Sequence, residues 1–157
     1  IDTYTHQVVA WERFKEIDYN LQKARIKALS GRYRARIFLD STGLGSPIGE
    51  DLRRAGLMVE DYTLSGKSKK MLIEKLSLFI EQKGVLIPEN AILLDELSAY
   101  SYSLSDSGNW KYSAPIGYRD DCVISLALAV WGLQNPKKRD DIFLRRENKT
   151  KIKYQYI

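Results

Sequence analysis

The stretch "ARIFLDSTGLGSPIGEDLRRAGLMVEDYTL" (Ala35–Leu64) constrains the fold more than any other part of the chain. An apolar run, Ile37–Leu39, ends in Asp40 and enters a turn carrying Gly43 and Gly45. Pro47, a favoured first helical residue, then opens a helix that runs to about Arg54, with Gly56 just beyond it. A second extended run, "LMVEDYTL", follows at once. Strands alternating with helices indicate a βαβ unit, whose two strands pair in parallel. One strand–helix–strand unit is therefore written into these residues.

The remaining sequence extends the alternation, which indicates an α/β fold. Ile1–Asp2 and "QVVAWERF" read as two strands around a turn at Thr3–His6, too close together to be other than antiparallel. Asp18 is placed to cap a helix through about Leu29, with Leu21, Ile26 and Leu29 inward and Gly31 ending it. "SGKSKKMLIEKLSLFIEQKG" predicts an amphipathic helix with Leu72, Leu76, Phe79 and Ile80 on one face. "VLIP" reads as a short strand, and residues 91–115 as a hairpin around Ser105–Asn109. "RDDCVISLALAVWGL" is apolar on nearly every side and predicts a buried helix. The expected sheet is mixed: an antiparallel start, then parallel βαβ units, flanked by helices, with a β-hairpin insertion. The expected organisation is one domain over residues 1–134 and a basic tail over 135–157.

Several function classes are excluded. One Cys and one His cannot build a zinc site from nitrogen and sulfur ligands. A lone Cys122 forms no internal disulfide, so nothing points to secretion. The longest apolar run, Val123–Leu133, is too short to cross a bilayer. Lys and Arg outnumber Asp and Glu by 25 to 20 in 157 residues, a net charge of +5 that suits a polyanionic partner.

The informative groups are carboxylates. Asp40 ends a strand, where open α/β sheets bind ligands; it would equally start an Asx-turn across Ser41–Gly43. Asp120 and Asp121 head the buried helix. One acid suffices for a cap, and two side by side bring a repulsion that a cation relieves. Should they meet Asp40, the cup would suit hard ions such as Mg²⁺ or Mn²⁺. Two such ions held about 3.5–4 Å apart can act on one phosphate. A rival reading takes Gly43, Gly45 and Gly49, with Glu60 or Asp61 on the next strand, as a dinucleotide-binding fingerprint. Its spacing is G-x-G-x-x-x-G, and Asp40 would repel a pyrophosphate. No G-K-[ST] follows, so no P-loop is present.

The residues "FLDSTGLGSPIGEDLRRAGLMVEDYTLSGKSKKMLIEKLSLFIE", then "IP", "ELSAY" and "SAPIGYRDDCVISLALA", resemble the C-terminal nuclease domain of the large terminase subunit of tailed bacteriophages. The resemblance runs from about Val8 to Leu133. It implies an RNase H-like fold and a metal-dependent endonuclease that cuts concatemeric viral double-stranded DNA during packaging, using Mg²⁺ or Mn²⁺. The metal-holding and catalytic positions would be Asp40, Asp120 and Asp121. The family often has His before the paired acids, where this chain has Arg119, which can contact phosphate but cannot accept a proton. The family's first acidic residue would stand on a strand ahead of Thr3–His6, before this chain begins; Asp2 looks like the end of the following strand. Implied partners are the terminase ATPase domain, the portal protein and the small terminase subunit, in the cytoplasm of an infected bacterium and away from membranes.

A DNA-facing surface is expected from Lys67, Lys69 and Lys70, which start the long helix against its dipole, and from Arg119. Arg32, Arg34 and Arg36 are further candidates. Trp110 and Lys111 sit near the hairpin tip, and the tail from Lys137 to Lys153 is a candidate for DNA or portal contact. Asp140–Asp141 lies in that polar tail, without a buried scaffold. Without catalysis, the same features would make a DNA- or portal-docking module.

Overall fold

The fold was established from a computed structural model that describes residues 1–43, 45–104, 110–113 and 119–136. Helix α1 (Tyr19–Tyr33) precedes strand β1 (Ile37–Asp40), helix α2 (Gly45–Arg54), strand β2 (Val59–Tyr62) and helix α3 (Gly66–Glu81). Helix α4 (Ala91–Ala99), the hairpin β3 (Ser101–Leu104) and β4 (Trp110–Ser113), and helix α5 (Asp121–Gln134) complete it.

The strand–helix–strand unit forms as its sequence dictates. β1 and β2 pair in parallel, Ile37 opposite Val59 and Asp40 opposite Tyr62. Helix α2 crosses between them so closely that a Cβ on Gly49 would come within 3.0 Å of an Asp61 carboxylate oxygen and 3.2 Å of Leu39. That close approach, rather than a pyrophosphate, accounts for the third glycine of the supposed fingerprint. Asp61, its supposed ribose acid, is paired with Arg53 at 3.0 Å.

Helix α5 is the spine of the core. Cys122, Val123, Ile124, Leu126, Ala127, Leu128 and Val130 are all buried, on every side of the helix. Leu72, Ile73 and Leu76 of α3 and Leu93 of α4 pack into the same cluster. Burying a side chain of this size contributes roughly 1.5–3 kcal/mol, so α5 is where most of the apolar driving force is concentrated.

Four expectations need correction. The antiparallel opening pair is not regular sheet: Asp2 and Gln7 close a turn through Asp2 N–H to Gln7 O, 2.9 Å. Beyond it the segment makes only one sheet-type pairing among the described residues, a single parallel bridge of Gln7 to Leu86; side-chain contacts such as His6 to Gly84 O at 3.0 Å and Arg13 to Glu96 at 3.6 Å tie it to the rest. The "VLIP" strand reduces to that same bridge. The first arm of the expected hairpin is helix α4, because the Asn90 side chain accepts from Leu93 N–H and starts it. Leu93 and Glu96 then fall on its buried face. The true hairpin is shorter, Ser101–Leu104 against Trp110–Ser113, antiparallel. Finally, α1 passes Gly31 and stops at Tyr33, where Arg34 takes the left-handed conformation (φ 48°); Leu21 is exposed rather than inward. Residues 105–109, 114–118 and the tail beyond 136, with Asp140–Asp141 and Lys137–Lys153, lie outside the described residues.

Candidate metal centre

Asp40 stands at the carboxyl end of β1, half-buried. Its Oδ1 accepts from Thr42 N–H at 2.9 Å, so the Asx-turn is present. Gly43, at φ 66°, completes that turn in the left-handed region that glycine enters without strain. The Asx-turn engages one of the two carboxylate oxygens.

The turn beyond Asp40 is tied to the one beyond β2. Ser41 and Thr63 hydroxyls lie 3.1 Å apart, and Leu64 N–H donates to Thr42 Oγ1 at 3.0 Å. Ser65 then caps α3, its side chain accepting from Ser68 N–H while the Ser68 hydroxyl accepts from Ser65 N–H. Helix α3 thus begins at the same edge of the sheet where Asp40 sits.

From the first turn of α3, Lys69 Nζ reaches Asp120 Oδ2 at 2.7 Å, both side chains 27% exposed. Further along, Lys75 lies over the Trp131 ring, 4.4 Å from its centroid. These two contacts lay α3 and α5 side by side with their N-termini together. The opposite end of α5 is fastened to the start of β1. Arg36 donates to Gly132 O at 2.9 Å and Asn135 O at 3.1 Å, and also pairs with Glu60 at 3.1 Å. Helix α5 therefore runs against the direction of β1 and brings Asp120 and Asp121 toward the Asp40 edge. The head of α5 and the end of β1, 81 residues apart in sequence (121 − 40 = 81), thus lie at one end of the sheet.

Asp120 holds the N-cap position of α5, yet its side chain makes no capping hydrogen bond. Its carboxylate faces a cation instead. Asp121 is exposed and lies 3.8 Å from Arg119. Among the described residues no three His, Cys, Asp or Glu side chains stand close enough together to hold an ion. The donor chemistry still fits a hard divalent ion: carboxylates from two separate elements, one already seating a positive charge. Tyr100 is raised by burial and secondarily by the Asp120 charge, and its buried hydroxyl has no hydrogen-bond partner among the described residues.

The expected basic surface divides. Lys67 is exposed on the first turn of α3, Lys69 is occupied by Asp120, and Lys70 pairs with Glu74 at 3.7 Å. Arg36 is structural, binding the tail of α5 with its guanidinium over Phe38. Arg32 stacks on Tyr33. The expectation for Trp110 and Lys111 concerns side chains outside the described set. An open cavity of about 420 Å³, lined in part by Arg13, Lys15, Arg119 and Asp121, adjoins the head of α5.

Sequence reasoning missed Glu96, which is 6% exposed and accepts from Cys122 N–H at 2.8 Å. A carboxylate within an apolar helix was the available signal. Cys122 is no nucleophile: burial, then the Glu96 carboxylate, pushes its thiol up to about 11. Since the thiolate is the reactive form, iodoacetamide at pH 8 is expected to label the native chain at least about a hundredfold more slowly than the denatured one. Equal rates would contradict this burial.

No family profile matches the sequence. The large terminase subunit of Thermus virus P23-45 is 33% identical over 157 residues, 99% of this chain and 32% of that protein. The crystal structure of the large terminase nuclease of thermophilic phage G20c with bound cobalt superposes with a TM-score of 0.79 at 34% identity, over 84% of this chain and 71% of that one. The belonging is decided by that coverage. This chain belongs to the phage large-terminase nuclease domains. The same G20c nuclease with bound magnesium gives a TM-score of 0.78 at 34% identity, over 84% of this chain and 71% of that one. The nuclease domain described here spans about a third of the curated relative's length. Among the described residues, no helix is long and apolar enough to cross a membrane.

Proposed function

We propose that this domain is the metal-dependent endonuclease of a DNA-packaging terminase, hydrolysing phosphodiester bonds of concatemeric viral double-stranded DNA. The observation that carries the proposal is the state of Asp120: a carboxylate at a helix N-cap that makes no capping bond and sits 2.7 Å from an ammonium. A half-buried acid held this way is prepared for a cation rather than for the helix. The likeness to a nuclease crystallised with magnesium and with cobalt supports the same chemistry.

In this proposal Asp40, Asp120 and Asp121 hold the ions, Mg²⁺ or Mn²⁺. When bound, such ions supply an activated water and positive charge for the developing phosphorane oxygens. The chain's own residues do the positioning. The Asx-turn fixes Asp40, and the buried α5 fixes the acidic pair on a rigid element. Arg119 and Lys67, both exposed at this edge, are proposed to contact backbone phosphates, which sets register without reading sequence. Lys70 and, once displaced from Asp120, Lys69 would add to that surface. The ATPase domain, portal protein and small subunit are proposed partners, in the host cytoplasm.

Calorimetric titration of the complete large subunit with Mn²⁺, paired with plasmid nicking, tests this. Uptake and nicking support the nuclease; DNA binding without either favours the docking module. Lys69 gives a sharper outcome. Its ammonium competes with any ion at Asp120, an interaction on the order of 1 kcal/mol for a partly exposed pair. Lys69→Met is therefore expected to tighten Mn²⁺ binding about fivefold in the absence of DNA. Unchanged or weaker binding would remove Lys69 from the centre.

A further inference from the structure

We propose that Glu96 is a positioning residue: it caps α5 from a neighbouring helix and so leaves Asp120 free for cations. The inference rests on the reading of Asp120 as an ion ligand.

The first turn of any α-helix presents N–H groups with no partner inside the helix. The N-cap side chain ordinarily satisfies one of them. On α5 that position belongs to Asp120, whose side chain makes no such bond. The acceptor comes from 26 residues earlier in the chain: Glu96 Oε2, 2.8 Å from Cys122 N–H. Glu96 is 6% exposed, on the inner face of α4. A buried carboxylate needs compensating positive charge. Two sources supply it: the N-terminal end of α5's dipole and Arg13, whose guanidinium stands 3.6 Å from Oε1.

The consequence concerns direction. An aspartate at the N-cap has a choice between its own helix and whatever lies outside it. With the Cys122 amide already bonded, the helix offers Asp120 less, and its carboxylate turns to Lys69. Without Glu96, the inward rotamer that caps α5 becomes the better option, and that rotamer withdraws Asp120 from Lys69 and from any ion. Charge alone could also explain an effect of Glu96 on cation binding, and glutamine separates the two. Glu96→Gln keeps an oxygen acceptor for Cys122 N–H and removes the charge, whereas Glu96→Ala removes both.

Two readouts on the complete large subunit test the proposal. In nicking assays, Glu96→Ala is expected to raise the Mn²⁺ concentration for half-maximal rate about tenfold or more, as loss of an outer supporting partner does. The rate at saturating Mn²⁺ stays within about threefold, and Glu96→Gln stays close to the parent in both respects. The second readout needs no metal. Lys69→Met is expected to lower Tm by about 2–4 °C in the parent and in Glu96→Gln, and not to lower it further in Glu96→Ala, where Asp120 has already left Lys69. Unchanged metal dependence in Glu96→Ala overturns the proposal. So does a Glu96→Gln as impaired as the alanine variant, or an equal Lys69→Met cost in all three backgrounds; if the alanine variant does not fold, Glu96→Met, which removes the acceptor but keeps the volume, takes its place in each comparison. A parent that neither nicks nor takes up Mn²⁺ sinks the nuclease reading, while the melting series still decides whether Glu96 directs Asp120.

Discussion

Asp40→Asn in the complete large subunit is expected to reduce Mn²⁺-dependent plasmid nicking by about a thousandfold or more, a barrier increase of ~4 kcal/mol. The substitution isolates charge from geometry. Asparagine retains an oxygen that accepts from Thr42 N–H, so the Asx-turn at 2.9 Å survives and β1 still ends where it did. What disappears is the negative oxygen that a hard divalent ion requires. Asp121→Ala is expected to lose as much if the proposed centre holds, because its exposed carboxylate pairs only with Arg119 among the described residues, at 3.8 Å, and its removal costs no packing. Asp51→Ala is the control. That acid lies on α2, paired with Lys23 at 2.7 Å, and its loss is expected to leave nicking unchanged. Both Asp40→Asn and Asp121→Ala should melt near the parent. Undiminished cutting by folded Asp40→Asn and Asp121→Ala would remove the acidic centre from the chemistry.

What could be read from the sequence were the parts whose physics is local. The β1–α2–β2 unit announces itself through Pro47, Gly56 and two short apolar runs. Helix α5 does so through an unbroken apolar surface. Asp18 was legible as a cap because the residue that caps and the amide it serves, Asn20 N–H, are neighbours. Failures cluster where a partner lies far away in sequence. Gln7–Phe14 alternates like a strand, yet a strand exists only through a neighbour's hydrogen bonds, and a single bridge to Leu86 is what forms. Residues 91–99 look extended because Ile, Leu and Leu run together; the cap at Asn90 and the spacing of Leu93, Glu96 and Leu97 tip them into a helix. Arg36 looked like a phosphate ligand, but its acceptors include the Glu60 carboxylate and carbonyls about 100 residues on, at Gly132 and Asn135. The candidate site was half legible: its acids could be named, while Lys69 to Asp120 and Glu96 to Cys122 are contacts across 51 and 26 residues that no spacing rule reveals.

Gly132→Val is expected to destabilise the domain by about 3 kcal/mol, at the upper end of ordinary overpacking, and to lower Tm by roughly 10 °C. The helix at Gly132 lies so close to β1 that any Cβ there would penetrate the ring of Phe38. Helix propensity alone favours replacing a helical glycine, by up to ~1 kcal/mol for alanine in a helix interior and less in the last turn where Gly132 sits, so a net loss reports the steric term. The two partners cannot separate cheaply. Phe38 is held under the Arg36 guanidinium, 5.0 Å from its ring centroid, and Arg36 in turn holds the Gly132 and Asn135 carbonyls. Relief should therefore come from the ring itself. Phe38→Ala is expected to offset part of the Gly132→Val cost, so that the double variant is at least about 1 kcal/mol more stable than additivity predicts. In the proposed nuclease the coupling would bear on metal binding, because this contact helps set how α5, which carries Asp120 and Asp121 at its head, lies along β1. A folded Gly132→Val should need more Mn²⁺ to reach half its maximal nicking rate, although position 132 is about three helical turns from the acids. Strict additivity with Phe38→Ala would show that α5 is held along β1 by other contacts. The direction of the acidic pair would then owe nothing to this glycine.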